Sequence, residues 1–152
     1  MEFSLRRVAT VRASRAQLED DGWDEVSATI ELADDVPDES LLGLDEFSHV
    51  EVVLLAHRAR DVPPAPWRRR PRGNPQWPEV GVFAQRNKDR PNRLLVSVAE
   101  ILEVGPRSLS VRGLDAVDGT PVLDIKPVFR WSGARGALRA PVWSDEIGRG
   151  YF

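Results

Sequence analysis

The sequence predicts a mainly β protein: a small closed or nearly closed β-barrel with few short helices and a long Pro/Arg-rich loop. Three observations lead there. About seven short apolar runs are separated by Gly, Pro and Asp turn signals. The clearest run, "VSATIEL" (26–32), alternates strictly and sets Val26, Ala28, Ile30 and Leu32 on one face. Helical periodicity is scarce, and closing an antiparallel sheet on itself removes the exposed edges that short strands otherwise leave.

Taken in order, "FSLRRVATVR" (3–12) reads as a first strand of imperfect alternation, followed by 26–32. "PDESLLGLDEF" (37–47) predicts a helical turn or two capped by Asp38. "VEVVLLAH" (50–57) is a continuous apolar run, the pattern of a strand covered on both faces. The segment from Asp61 to Glu79 holds six prolines and little periodicity, and a loop of that length inside one domain is usually functional. "VGVFA" (80–84), "LLVSVAEILEV" (94–104), "SLSVRGL" (108–114) and "PVLDIK" (121–126) supply the later strands. Gly105-Pro106 marks one turn, and Asp118-Gly119 marks a tight hairpin, because glycine supplies the positive φ it requires. The tail "APVWSDEIGRGYF" predicts a short helix started at Ser144. With no internal repeat and no boundary signal, 152 residues are expected to form a single domain, 1–152.

Composition excludes several chemistries. There is no cysteine and there are two histidines, His49 and His57, so disulfides, thiolate nucleophiles and three-histidine metal sites are out. No metal site is expected. Gly-x-Gly-x-x-Gly and Gly-x-x-x-x-Gly-Lys are absent, so the usual nucleotide-cradling loops are missing. No apolar run reaches the about 20 residues of a membrane helix. "MEFSLRRVAT" lacks the apolar block of a secretory signal, so a cytoplasmic location and no membrane partner are expected.

Charge is local rather than global. The formal net charge is −3, yet "WRRRPRGN" (67–74) carries four arginines, with Arg58 and Arg60 just upstream. "GVFAQRNKDRPNR" (81–93) places many donors between two apolar runs, a pattern suited to reading an anion or carboxylate. "LDAVDGTPVLDIKPVF" (114–129) crowds Asp115, Asp118, Asp124 and Lys126 around one turn. Pro121 opens its strand and Pro127 ends it. Between them Leu123 and Ile125 point one way, Asp124 and Lys126 the other. The two charges form either a surface ion pair or the polar wall of a site.

Together "GLDEFSHVEVVLLAHR" (43–58), "GVFAQRNKDRPNR" and "LDAVDGTPVLDIKP" resemble the TsaA-like, or TrmO, family. The resemblance covers nearly the whole chain in order, from the first strand to Lys126. It implies a small non-Rossmann β-barrel that uses S-adenosyl-L-methionine (S-adenosylmethionine) to methylate N6 of threonylcarbamoyladenosine in tRNA. It also implies a homodimer with the cofactor near the subunit interface. The missing glycine fingerprint agrees with that expectation.

Carried over by motif, the resemblance implies cofactor contacts at His57, Arg58, Arg86, Val96, Leu114 and Asp115. A further contact loop falls on "DDGW", with Asp20, Asp21 and Gly22. It places Arg90, Asn92, Asp118 and Lys126 on the substrate side. The chemistry of the ligand suggests roles: Arg86 to pair with its carboxylate, Asp115 to accept from ribose hydroxyls or the ammonium, and Phe83, Val96 and Leu114 to pack on the adenine. Methyl transfer is an in-line displacement governed by alignment, but a urea-type nitrogen also needs proton removal. Asp118, Asp124 and His57 are the available bases.

Two departures bear on the acceptor. Where the family pattern continues Pro-Ile-Gly after Arg-Pro-Asn, this chain reads "RLLVS", with Leu95 in place of the glycine. The chain is also expected to lack the additional C-terminal domain of some tRNA-modifying relatives. The leading expectation is a methyltransferase acting on tRNA. The alternatives are a small-molecule acceptor and a non-catalytic barrel that binds the cofactor or RNA.

Overall fold

Alternating burial along short strands builds the molecule. A computed structural model gives the fold, and the structure describes residues 2–59 and 67–152. Eight strands follow in order: β1 (Ala9–Ala13), β2 (Ser27–Leu32), β3 (His49–Leu55), β4 (Arg68–Arg69), β5 (Val80–Gly81), β6 (Leu94–Val104), β7 (Ser108–Arg112) and β8 (Pro121–Pro127). Six of them close a barrel in the order β1-β2-β7-β6-β3-β8, with β8 returning to β1, and every neighbouring pair is antiparallel. β4 and β5 pair separately as a two-stranded ribbon.

Register explains the core. Val11 pairs with Ile30 and Ile30 with Leu109, so one interior layer is drawn from β1, β2 and β7. All three are fully buried, as are Val50, Val52, Leu54, Val111, Leu114 and Val122. Each such side chain contributes about 1.5–3 kcal/mol of burial free energy, so the barrel interior dominates stability. Among the described residues, no helix is long and apolar enough to cross a membrane.

Several elements differ from the sequence reading, each for a local reason. β3 is not covered equally on both faces: Val50, Val52 and Leu54 are buried, whereas Glu51, Val53 and Leu55 are half-buried. The 80–84 strand shrinks to Val80–Gly81, because Val82–Ala84 turns into a 3-10 helix. Asp38 does not cap a helix; 37–47 makes two 3-10 turns, and Asp38 pairs with Arg107 instead. The tail helix α1 (Val142–Gly148) starts at Val142, with Pro141 as its N-cap residue, rather than at Ser144, whose hydroxyl donates back to the Pro141 carbonyl at 2.7 Å. The Pro/Arg-rich segment is partly ordered, since Arg68–Arg69 pairs with Val80–Gly81 and Pro71–Gly73 forms a turn; Arg60 and residues 61–66 lie outside the described residues.

The Asp118-Gly119 turn forms, with Thr120 N–H donating to the Val117 carbonyl at 3.2 Å and Gly119 at φ 79°. It is not a hairpin. β7 and β8 are not neighbours, and the turn delivers the chain between β1 and β3. Strand β8 spans Pro121–Pro127, but a register shift opposite Val53 and Leu54 makes Leu123 an extra residue. Val122 and Ile125 therefore face the interior, where strict alternation would have paired Leu123 with Ile125.

Candidate functional site

The segments leaving the barrel strands converge on a cavity of about 1070 Å³. Its wall is drawn from 18–24, the end of β3, the arginine-rich segment, 85–89, β6, the β7–β8 connection and the tail. That volume exceeds what a single nucleotide-sized ligand fills, leaving room for a second reactant.

Asp115 is positioned by its neighbour. Leu114 is fully buried in the barrel core and anchors the β7–β8 connection, while the Asp115 N–H donates to Ser97 Oγ on β6 at 3.1 Å. The carboxylate then projects to the cavity wall, where it accepts from the Tyr151 hydroxyl. Burial pushes the Asp115 carboxyl above its ordinary range; the Tyr151 hydrogen bond, Arg15 and Lys88 oppose that rise, and Asp20 adds to it. Burial first, and then Asp115, push the Tyr151 phenol well above its usual range, so it remains a protonated donor.

The "DDGW" loop is fastened on two sides. Asp21 receives both Arg72 guanidinium nitrogens, at 2.6 and 3.2 Å. The Gly22 and Trp23 N–H groups donate to the Gly150 and Tyr151 carbonyls, both at 3.0 Å. Gly22 has φ 75°, a left-handed conformation that glycine adopts without penalty. Arg15 lies 4.3 Å over the Trp23 ring and donates to the Asp21 and Gly22 carbonyls. Asp20 lines the cavity between these anchors.

His57 follows the end of β3, and its N–H bonds the Leu55 carbonyl at 2.7 Å. Burial, and then the charge of Arg58, lower its pKa, so the imidazole is neutral at neutral pH. A Cβ on Gly119 would sit 3.9 Å from its Nε2, which places the Asp118-Gly119 turn directly behind the ring. Arg58 donates to the Ala16 carbonyl at 2.5 Å and so ties β3 to the loop before "DDGW".

Arg86 donates to the Val96 carbonyl at 3.1 Å, which uses one of its five N–H donors and leaves the rest available at the cavity. Buried Gln85 is the hub of this wall. It donates to the Arg69 and Val80 carbonyls at 3.1 and 3.2 Å, and accepts from Asn87 at 3.0 Å. Two buried polar atoms on cavity-lining residues, Trp23 Nε1 and Asn87 Oδ1, have no partner among the described residues. A donor and an acceptor left open on one wall fit a polar ligand.

The structure thus brings Asp20, His57, Arg58, Arg86, Val96 and Asp115 to one cavity. Asp21 and Gly22 act behind it as anchors, and Leu114 faces the core. Other expected residues lie elsewhere. Asp118 accepts from the Ala13 N–H at 3.1 Å, the work of a turn. Asp124 pairs with Lys126 and borders a smaller concavity of about 470 Å³. Arg90 donates to the Gln85 carbonyl, and Asn92 occupies an exposed turn. Phe83 is 77% exposed and packs edge-on against Trp67 rather than on the cavity. Leu95 takes a regular strand position opposite Leu54, where its side chain packs on the core and lines the cavity.

Sequence reasoning missed Tyr151 and Trp143, and gave no role to Trp23 and Arg72 inside the "DDGW" and "WRRRPRGN" segments it singled out. Tyr151 is the chain's single tyrosine, set beside a glycine in "RGYF", and that was the one available signal. Among the described residues, no group of three or more metal-ligating side chains occurs.

Comparison with known proteins follows from this geometry. Residues 15–132 match the family described as tRNA-methyltransferase O N-terminal domain. The chain is 38% identical over 91 residues to a tRNA (adenine(37)-N6)-methyltransferase of Mus musculus, covering 60% of this chain and 21% of the relative. It is 46% identical over 88 residues to a "Probable S-adenosyl-L-methionine-binding protein" of Methanothermobacter thermautotrophicus, covering 57% of this chain and 59% of the relative. The crystal structure of TrmO from Pseudomonas aeruginosa superposes with a TM-score of 0.77 at 28% identity, over 93% of this chain and 63% of that one. The chain therefore spans from about a fifth to about three fifths of these relatives.

Proposed function

The chain belongs to the tRNA-methyltransferase O N-terminal domain family, and on that premise we propose that it is an S-adenosylmethionine-dependent methyltransferase acting on N6 of threonylcarbamoyladenosine in tRNA. The observation that carries the proposal is the meeting of Asp20, His57, Arg58, Arg86 and Asp115, from four separate segments, around one cavity. When bound, S-adenosylmethionine supplies a methyl group on a positively charged sulfur.

The chain's own groups match the rest of that ligand. Arg86 offers a guanidinium for its carboxylate, and Asp115 an acceptor for ribose hydroxyls or the ammonium. Val96 offers apolar surface for the adenine. Of the three candidate bases, Asp118 and Asp124 are engaged away from the cavity, whereas His57 lines it with a neutral imidazole. His57 is the general base in this reading: its free ring nitrogen accepts the proton from the acceptor nitrogen, and burial, then Arg58, keep the imidazole neutral until then.

The reading extends to a single domain over 1–152 that works in the cytoplasm as a homodimer. Val98 and Leu102 on the outer face of β6 are each 47% exposed, apolar surface that a second copy would cover beside the cavity. Labelled S-adenosylmethionine and tRNA lacking the modification supply the test, read by nucleoside mass spectrometry. Methylated threonylcarbamoyladenosine is the expected product. Tight cofactor binding with no label in any RNA would reject the proposal.

A further inference from the structure

Outside the cavity, ordered aromatic rings lead into a stretch of chain that carries positive charge and no acid. Phe47 and Phe129 lie 5.5 Å apart at 34°, and Phe129 and Trp131 lie 5.2 Å apart at 52°, so three rings form a continuous ladder. Phe129 is 39% exposed and Trp131 70% exposed. The ladder is held rather than loose. The Val128 N–H donates to the His49 carbonyl at 2.9 Å, and Ser132 closes a turn on Phe129 through its N–H and hydroxyl, both at 3.0 Å.

The chain around Phe129 and Trp131 is one-sided in charge, while exposed Asp45 and Glu46 precede Phe47. From Pro127 to Ser144 the chain has Arg130, Arg135 and Arg139 and no Asp or Glu, in a protein whose formal net charge is −3. All three are exposed, and none makes an ion pair or hydrogen bond among the described residues. The barrel's other arginines are largely committed, Arg12 to Glu31, Arg107 to Asp38 and Arg112 to Glu100. Exposed ring faces beside unpaired guanidinium groups suit a ligand that carries both π-faces and phosphates. Duplex nucleic acid hides its base faces, so the matching form is unpaired. The competing occupant is a second copy of this chain, and it fits poorly: an isologous contact would set the same unpaired arginines against themselves.

We propose that Phe47, Phe129 and Trp131, flanked by Arg130, Arg135 and Arg139, form a docking platform for unpaired RNA. The choice of RNA over DNA rests on the function proposed above. Phe47 precedes His49 by two residues, and His49 lines the edge of the cavity at the opposite end of β3 from His57. The platform supplies affinity, and the cavity supplies the chemistry.

The test uses the full chain and a fluorescently labelled, unmodified RNA hairpin with an adenine-containing loop, compared with a blunt RNA duplex. Trp131→Ala, at an exposed position outside the barrel, is expected to weaken hairpin binding about tenfold. It should leave S-adenosylhomocysteine affinity unchanged. The double variant Arg135→Gln/Arg139→Gln should flatten the salt dependence of hairpin binding by about 1.4 in log–log slope. Equal binding of hairpin and duplex, or wild-type binding by both variants, would overturn the platform. So would a shift of Trp131→Ala from dimer to monomer in sedimentation, which would assign the face to a second copy. If wild-type protein binds the hairpin as expected but transfers no methyl group to tRNA that carries threonylcarbamoyladenosine, the platform stands and the proposed activity falls.

Discussion

The Tyr151 hydroxyl donates to the Asp115 carboxylate across 36 residues of sequence, so the wall of the cavity is closed by a segment far from the motifs that define it. Asp115 is also faced by Arg15, Lys88 and Asp20, and Tyr151 by Arg72. A phenol that stays protonated offsets part of the cost of ionising the half-buried carboxyl.

Removing that donor should therefore be felt at the ligand. Tyr151→Phe is expected to weaken S-adenosylhomocysteine binding roughly fivefold to tenfold, the scale of one ordinary hydrogen bond, because the bond lost is to Asp115 rather than to the ligand. It should also move the acid-side loss of binding to higher pH, because Asp115 would then ionise less readily. Calorimetry across pH checks both, and unchanged affinity with an unchanged profile would reject the role. Stability carries the opposite sign. With its pKa raised on folding, Asp115 holds a proton in the folded state where the unfolded chain has lost it. Its stabilising contribution is thus present below about pH 4 and is lost as pH rises through the folded value. Thermal midpoints of wild type and Asp115→Asn should diverge over that interval.

His57→Gln keeps a polar side chain but loses the basic nitrogen. Methyl transfer should fall by about 10²- to 10⁴-fold with cofactor affinity nearly intact. In the wild type, kcat should decline on the acid side with a midpoint below the ordinary histidine value, because burial and Arg58 lower it. A variant with full kcat would remove His57 from the chemistry.

Arg86→Gln should weaken cofactor binding about tenfold to a hundredfold, since a charge-assisted pair to the ligand carboxylate would be lost. Among the described residues its bond to the Val96 carbonyl is the one internal hydrogen bond at stake, so the thermal midpoint should move little. Equilibrium binding and a melting curve on the same sample separate the two effects.

Asp124→Asn and Lys126→Ala test the densest charged motif. The pair is on the barrel exterior, with side chains 48% and 59% exposed, in solvent that screens its attraction. Neither change should alter stability or cofactor binding measurably. A large loss of methyl transfer in either would show that the pair completes a site on a second subunit.

Much of the barrel was legible before any coordinates, and particular residues show why. Leu94–Val104 and Pro121–Pro127 could be read as strands because alternation, β-branched content and flanking prolines are local properties. The bulge at Leu123 could not, since an extra residue appears only when β8 is laid against β3. The motif segments predicted a shared site, yet nothing local distinguishes Asp115, which reaches the cavity, from Asp118 or Asp124, which do not.

The amino-acid sequence by itself determined that this is a strand-rich barrel without thiolate or glycine-loop chemistry, and it determined which segments carry polar groups suited to a charged nucleotide. Periodicity and residue chemistry are written along the chain. Tertiary structure alone decided the strand order β1-β2-β7-β6-β3-β8, the bond from Tyr151 to Asp115, and the anchoring of Gly22 and Trp23 on Gly150 and Tyr151. Those pairings join residues far apart in sequence, and their stability comes from burial and hydrogen bonds that exist only once the barrel has closed.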